Sequence, residues 1–172
     1  MKILCFSDSH GDDRCIRFAL LRHPDAELII HLGDGLSEVE KFVFSDSRRK
    51  WLCVRGNCDP SISSLPELPK KTDSINIMGH RIVYTHGDLY GVKYSFGGIM
   101  GLAAEKEADL VLFGHTHIPC EKYVELPSGK SAYLFNPGSA GGDYFAGSSF
   151  GVITVTDSGI LLSHGTLRSE GE

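Results

Sequence analysis

Asp8-Ser9-His10, Gly33-Asp34, Gly56-Asn57-Cys58-Asp59, His86-Gly87-Asp88 and Gly114-His115-Thr116-His117 are five short polar clusters in a chain of 172 residues. Between them they supply Asp8, His10, Asp34, Asn57, His86, His115 and His117, a set of hard oxygen and borderline nitrogen donors. Singly, each cluster has a plain structural reading. Asp8 could cap a following helix, Gly33-Asp34 could open one, and Asn57 and His115 suit turns. Together, seven donors are too many for one closed site but suit two cations sharing a bridging carboxylate. A structural zinc site would favour several cysteines, and none has finger spacing. Two cations about 3.5–4 Å apart can hold a hydroxide between them and neutralise a phosphoryl group in line with it. That is the chemistry of phosphate ester hydrolysis.

Positioning those donors falls to the apolar runs that precede them, residues 3–6, 28–32, 51–54, 82–84 and 110–113. The runs read as strands, with helices over 12–22 and 37–44 (Ser37 as N-cap) between the first three. Strand, helix, strand at such short intervals gives a parallel sheet with right-handed crossovers, whose ligands gather beyond the carboxyl ends of the strands. Residues 74–78 and 81–85 read as a hairpin turning at Gly79-His80, and 95–106 as a helix carrying three glycines. Strands over 122–126, 131–135, 149–156 and 160–167 make the second half mainly antiparallel. Two stacked sheets with helices outside, an α/β architecture, fit the whole.

Composition sets broad limits. Hydrophobic residues make up 41% and charged residues 23%, enough for a core without a metal or disulfide staple. The net charge of −5 (17 basic against 22 acidic residues) gives no footprint for nucleic acid or an anionic membrane. Five cysteines, with no C-x-x-C pair, argue for a reducing compartment. No apolar run approaches membrane-spanning or signal-peptide length, so a cytoplasmic protein is expected.

In the order D-x-H, G-D, G-N-x-D, H-G and G-H-T-H, the chain resembles the calcineurin-like metallophosphoesterase superfamily, and most of all its small bacterial and archaeal phosphodiesterases with G-N-C-D. The likeness spans residues 1–117 by motif. Asn136-Pro137-Gly138-Ser139 and the glycine-rich tail after it are also similar. The resemblance implies one domain over 1–172, a four-layer α-β-β-α sandwich of two mixed sheets with the site at its rim. It implies that Asp8, His10, Asp34 and His117 hold one metal, that Asp34 bridges, and that Asn57, His86 and His115 complete the other. Asp34, Asn57 and His115 would also take part in catalysis. The cofactors would be two divalent ions, manganese foremost, with nickel, iron, cobalt or zinc also suited to the donors. The activity implied is hydrolysis of a small-molecule phosphate ester by a metal-bridging hydroxide, with a diester favoured. Alternatives are a phosphomonoesterase acting on a metabolite or nucleotide, and an interaction scaffold like the small retromer subunit of the same family. Exposed strand edges would permit a homo-oligomer.

Cys58 departs from larger phosphatases of the superfamily, where histidine follows the asparagine. A thiol titrating near 8.5 is a poor source of protons for a leaving group at neutral pH, which favours diesters and stable leaving groups. Asp59 and Asp88 could orient imidazoles, although a cap (Asp59) and a solvated loop acid (Asp88) are the simpler readings. His31 is expected buried and hydrogen-bonded, and His23, His80 and His164 exposed at element ends or edges. Cys5, Cys15 and Cys53 are expected on core faces. Specificity would come from the loops at 60–69 and 141–147.

Overall fold

Strand β1 (Lys2–Phe6) sends Ile3 and Cys5 to one side and Leu4 and Phe6 to the other, and all four are fully buried. A strand apolar on both faces has to be covered on both, and that alternation generates the layers. Ile3 and Cys5 meet Ile82, Leu110 and Phe135 of a second sheet. Leu4 and Phe6 instead pack with Ile16, Ala19, Val39 and Phe42 of two helices. Each such side chain contributes about 1.5–3 kcal/mol by leaving water. The computed structural model describes residues 1–60, 64–65, 68–142 and 147–167.

After β1 come α1 (Arg14–Arg22), β2 (Leu28–His31), α2 (Leu36–Ser45), β3 (Lys50–Cys53), β4 (Thr72–Ile77), β5 (His80–Thr85) and α3 (Gly97–Glu105). The chain ends in β6 (Leu110–Leu112), β7 (Cys120–Glu125), β8 (Ser131–Asn136), β9 (Ser148–Thr156) and β10 (Gly159–Leu167). One sheet has the order β10-β9-β1-β2-β3 and the other β4-β5-β6-β8-β7. β1, β2 and β3 run parallel, with Ile3 opposite Leu28 and Leu28 opposite Lys50. α1 and α2 cover the outer face of their sheet. On the second sheet's outer face Val83, Val111 and Leu134 pack against Ile99, Leu102 and Ala103 of α3. The result is the four-layer α-β-β-α sandwich of two mixed sheets.

Four local expectations need correction. The second half is less antiparallel than its turns suggest, because β8 pairs parallel with β6. The hairpin turns at Met78-Gly79, where both residues have positive φ (50° and 84°), as a two-residue turn of the type I′ kind requires. Ser37 does not cap α2; Gly35 occupies that place, and Asp59 from another loop accepts its N–H. Finally, α3 starts at Gly97. Gly98 within it lies against the backbone of Tyr90, where a Cβ would fall 2.2 Å from the carbonyl oxygen. No described helix is long and apolar enough to cross a membrane.

Candidate metal centre

β1, β2, β3, β5 and β6 each deliver one polar cluster just beyond their carboxyl ends, and backbone hydrogen bonds lock these loops together. Asp8 N–H donates to Gly33 O (3.0 Å), His10 N–H to Asp34 O (3.1 Å) and Gly114 N–H to His86 O (2.9 Å). Turning side chains toward one point strains the backbone beyond β1, β2 and β6. Asp8, His10, Asp34, His115 and His117 all have positive φ, between 45° and 67°. Among the described non-glycine residues the other two with positive φ are Met78, in the hairpin turn, and Glu107. Asp and His tolerate this region better than most residues, and such strain collects where a fold holds side chains for a purpose.

The structure brings all seven predicted donors together, in two adjoining groups. In the first, Asp8 Oδ1 lies 3.2 Å from His117 Nε2 and 3.8 Å from His10 Nε2, and the two imidazole Nε2 atoms are 3.3 Å apart. In the second, His86 Nε2 lies 3.1 Å from Asn57 Oδ1, 3.1 Å from His115 Nδ1 and 3.3 Å from Asp34 Oδ2. Asp8 Oδ1 and His86 Nε2, 4.0 Å apart, join the two. Asp34 also shares a set with His10 and Cys58 whose ligand atoms lie within 4.8 Å of one another, so it faces both groups.

Two features fit this constellation to cations. Asp8 is fully buried, and although its Oδ2 accepts from Ser7 Oγ (2.5 Å) and His115 N–H (2.9 Å), its Oδ1 has no hydrogen-bond donor. His117 sits beside that oxygen without the alignment of a hydrogen bond. An orphaned, buried carboxylate oxygen aimed at imidazole nitrogens costs energy unless positive charge sits among them. Second, His86 Nδ1–H donates to Leu32 O at 2.9 Å, which points the Nε2 lone pair at Asn57 and Asp34. That outer contact is how ligating imidazoles are oriented. The donor sets able to hold metal are therefore Asp8, His10 and His117; Asp34, His86 and His115; and, across the two, His10, Asp34 and Cys58.

The charges are mutually dependent. Burial opposes ionisation of Asp34, but the His86 imidazole 3.3 Å from its Oδ2 and the Cys58 N–H outweigh it, and the carboxyl titrates well below the usual carboxylate range. Asp8 is likewise lowered: burial is offset by His117, His86 and Ser7. His86 is raised, because Asp34 and Asp8 outweigh its burial, and His117 is raised mainly by Asp8. His115 is lowered by burial and by the positive charges of His86 and Lys93. The Cys58 thiol is pushed up, chiefly by Asp34, and so stays protonated.

Several supporting residues had no clear signal in the sequence. Asp59 orients no imidazole and is instead a cap, as its simpler reading expected, although for a helix distant in sequence. Its carboxylate accepts the N–H groups of Asp34 (2.7 Å), Gly35 (2.8 Å), Leu36 (2.9 Å) and Gly56 (2.8 Å), clamping the third loop to the second and to the start of α2. Ser7 holds Asp8, and Ser139 Oγ donates to Asp8 O at 2.8 Å, which brings the Asn136–Ser139 turn to the rim. A buried serine at a strand end beside Asp8 was the available hint. Asp88 is not a solvated acid: it is mostly buried and faces Lys71 at 3.4 Å. His31 is buried and neutral, its titration pushed down to about 4 by burial, with Nδ1 accepting from Gly33 N–H. His23, His80 and His164 are half-buried, not exposed: His80 and His164 donate to Thr156 O and Asn136 O, and His23 packs edge-on to Phe150. Cys5 and Cys15 are buried in the cores and Cys53 is half-buried beside the outer one. Of the loops expected to set specificity, residues 61–63, 66–67 and 143–146 lie outside the described residues.

Close approach of Gly56 to Asp34 yields a prediction. A Cβ at Gly56 would fall 2.0 Å from Asp34 Oδ1 and 2.6 Å from Asp34 N. Gly56→Ala is expected to cost about 1–3 kcal/mol by overpacking and to displace the carboxylate. Urea unfolding and metal analysis of the purified variant check it; wild-type values for both would contradict the packing.

Comparison with known proteins agrees with this geometry. Residues 1–158 match the model of the calcineurin-like phosphoesterase superfamily domain. Over 140 residues the chain is 34% identical to the probable metallophosphoesterase YsnB of Bacillus subtilis, covering 81% of this chain and 75% of that protein. It is 26% identical over 160 residues to phosphodiesterase YfcE of Escherichia coli K12, covering 81% and 79%. In fold it is similar to Vps29 of Entamoeba histolytica solved with Zn+2, with a TM-score of 0.77, 21% identity, and coverage of 99% and 95%. Its motif order, its rim of candidate ligands and these matches together make this chain a member of the calcineurin-like phosphoesterase superfamily.

Proposed function

We propose that the protein is a phosphodiesterase dependent on two divalent metal ions. The observation that supports this most is the sharing of Asp34 between two adjoining sets of donors drawn from five strand ends. On this reading Asp8, His10, Asp34 and His117 hold one ion, Asn57, His86 and His115 hold the other, and Asp34 serves both. Two bound cations supply charge to stabilise phosphoryl oxygens and acidify water enough to attack at neutral pH. The mixed donors suit manganese, with nickel, iron, cobalt or zinc as substitutes.

This chain's own residues then set orientation and selectivity. The Leu32 carbonyl fixes the tautomer of His86, keeping Nε2 a donor to the ion. Asn57 turns Oδ1 toward the His86 side and Nδ2 toward Cys58 Sγ, 3.2 Å away, which leaves the amide oxygen on the side of the donors. Asn57 and His115 border the position of the reacting phosphoryl group. The protonated Cys58 thiol brings no positive charge and little acidity where larger relatives carry an imidazole. A monoester dianion lacks a counter-charge there and a poor leaving group lacks a proton donor. A diester monoanion with a stable leaving group needs neither. The phosphodiesterase name of the similar YfcE accords with this.

Rates on bis-aryl and mono-aryl phosphates with added manganese test the reading. Diester turnover is expected to exceed monoester turnover by about tenfold or more and to vanish on chelation. Monoester preference would overturn the diester assignment, and turnover indifferent to metal would overturn the enzyme reading. Cys58→His is expected to raise monoester turnover; an unchanged diester-to-monoester ratio would remove the leaving-group argument.

A further inference from the structure

On the Thr116 side the metal centre adjoins a cavity of about 520 Å³ lined by Val92, Lys93, Phe96, Phe113, Thr116 and Ile118. Its lining neighbours the ligand loops: Thr116 lies between His115 and His117 in the chain, and Val92 lies against Gly87, next to His86. The base is rigid, because Phe113 is fully buried and meets Phe96 edge-on at 5.8 Å, while Lys122 covers one face of Phe96 at 5.4 Å. Ile118, 66% exposed, forms an apolar lip immediately after His117. The Thr116 hydroxyl is already engaged by Asn136 Nδ2 at 3.0 Å and Ile118 N–H at 3.3 Å. Lys93 is the one charged group of the lining.

We propose that this cavity seats one ester group of the substrate, and that the substrate class is phosphodiesters bearing an apolar substituent of about aryl size. The inference rests on the phosphodiesterase reading above. An apolar wall beside a charged phosphoryl site separates the two ends of such a molecule: the hydrophobic arm fills the cavity while Lys93 and the metal centre take the anion. A volume of this size suits a group of one or two rings. Phe96 and Ile118 are thereby specificity-determining residues and Lys93 a positioning one.

Calorimetric titration of the manganese-loaded protein with diphenyl phosphate and dimethyl phosphate, with phenol release followed in parallel so that any heat of hydrolysis is subtracted, tests this through binding. Diphenyl phosphate is expected to bind at least about tenfold more tightly, the equivalent of burying part of one ring. Ile118→Ser and Phe96→Ala should each weaken diphenyl phosphate by about five- to tenfold and leave dimethyl phosphate unchanged, whereas Lys93→Gln should weaken both alike. Ile118 is on the surface, so its variant remains informative if Phe96→Ala disturbs packing. Equal affinity for the two diesters, or a ratio unmoved by Ile118→Ser, overturns the proposal. A protein that discriminates between them but hydrolyses no diester keeps the subsite and refutes the phosphodiesterase reading; one that hydrolyses diesters without discriminating does the reverse.

Discussion

Asp34→Asn is expected to lower kcat/KM on a bis-aryl phosphate by more than about 100-fold, beyond the usual cost of losing a merely supporting group around a metal. The reason is its placement. Asp34 Oδ2 faces His86 Nε2 at 3.3 Å while its Oδ1 accepts the Cys58 N–H at 2.7 Å, and it also shares a donor set with His10. An amide at this position keeps the shape but removes the charge that two neighbouring cations would share. Both ions should be lost or weakened together, so bound manganese should fall from about two per chain toward none, rather than to one. Metal analysis after gel filtration, run beside the kinetics, separates the two outcomes. Full metal content with an intact rate would end the bridging role. Loss of a single ion would confine Asp34 to one side.

Asp59→Ala should have the largest effect on stability, a loss of about 3 kcal/mol or more. Four backbone N–H groups from two segments, 34–36 and Gly56, converge on this carboxylate. Two belong to Gly35 and Leu36 at the start of α2, where the helix dipole also favours a negative charge. Deleting it leaves partly buried donors without acceptors and unties the third loop from the second. Asp59→Asn, which keeps one acceptor oxygen, should lose less. Urea midpoints for both variants, at unchanged m, provide the measurement. A loss under about 1 kcal/mol for the alanine variant would show that water replaces the carboxylate easily. Because Asp34 N–H is among the four, manganese affinity should fall in the same variant.

Much of the architecture was legible because it rests on short-range patterns. Continuous apolar runs such as 3–6 and 28–32 mark strands buried on both faces, and the polar residue after each run marks the rim. Donor types at the ends of five such runs announced the site before any geometry was known. Less legible were contacts made by partners distant in sequence. Asp59 reaching α2, Ser139 holding Asp8, and Lys71 facing Asp88 arise from chain crossings that no local pattern encodes. The hairpin register was misplaced by one residue for a related reason: Met78 occupies a positive φ that residue type would not suggest. His164 shows the same limit. A histidine near the end of β10 looks like a surface residue until Phe135 is found stacked on it at 4.5 Å.

The sequence by itself determined which donor side chains end the strands, the strands that carry them, and the absence of an imidazole at position 58. It did so because donor chemistry and strand periodicity are properties of neighbours along the chain. Only the tertiary structure decided that the donors fall into two adjoining groups, that Asp8 Oδ1 is left without a hydrogen-bond donor, and that an apolar cavity opens beside Thr116. Those facts depend on two sheets packing face to face, which brings β1 and β6 together across more than a hundred residues and aims their strained ends at one point.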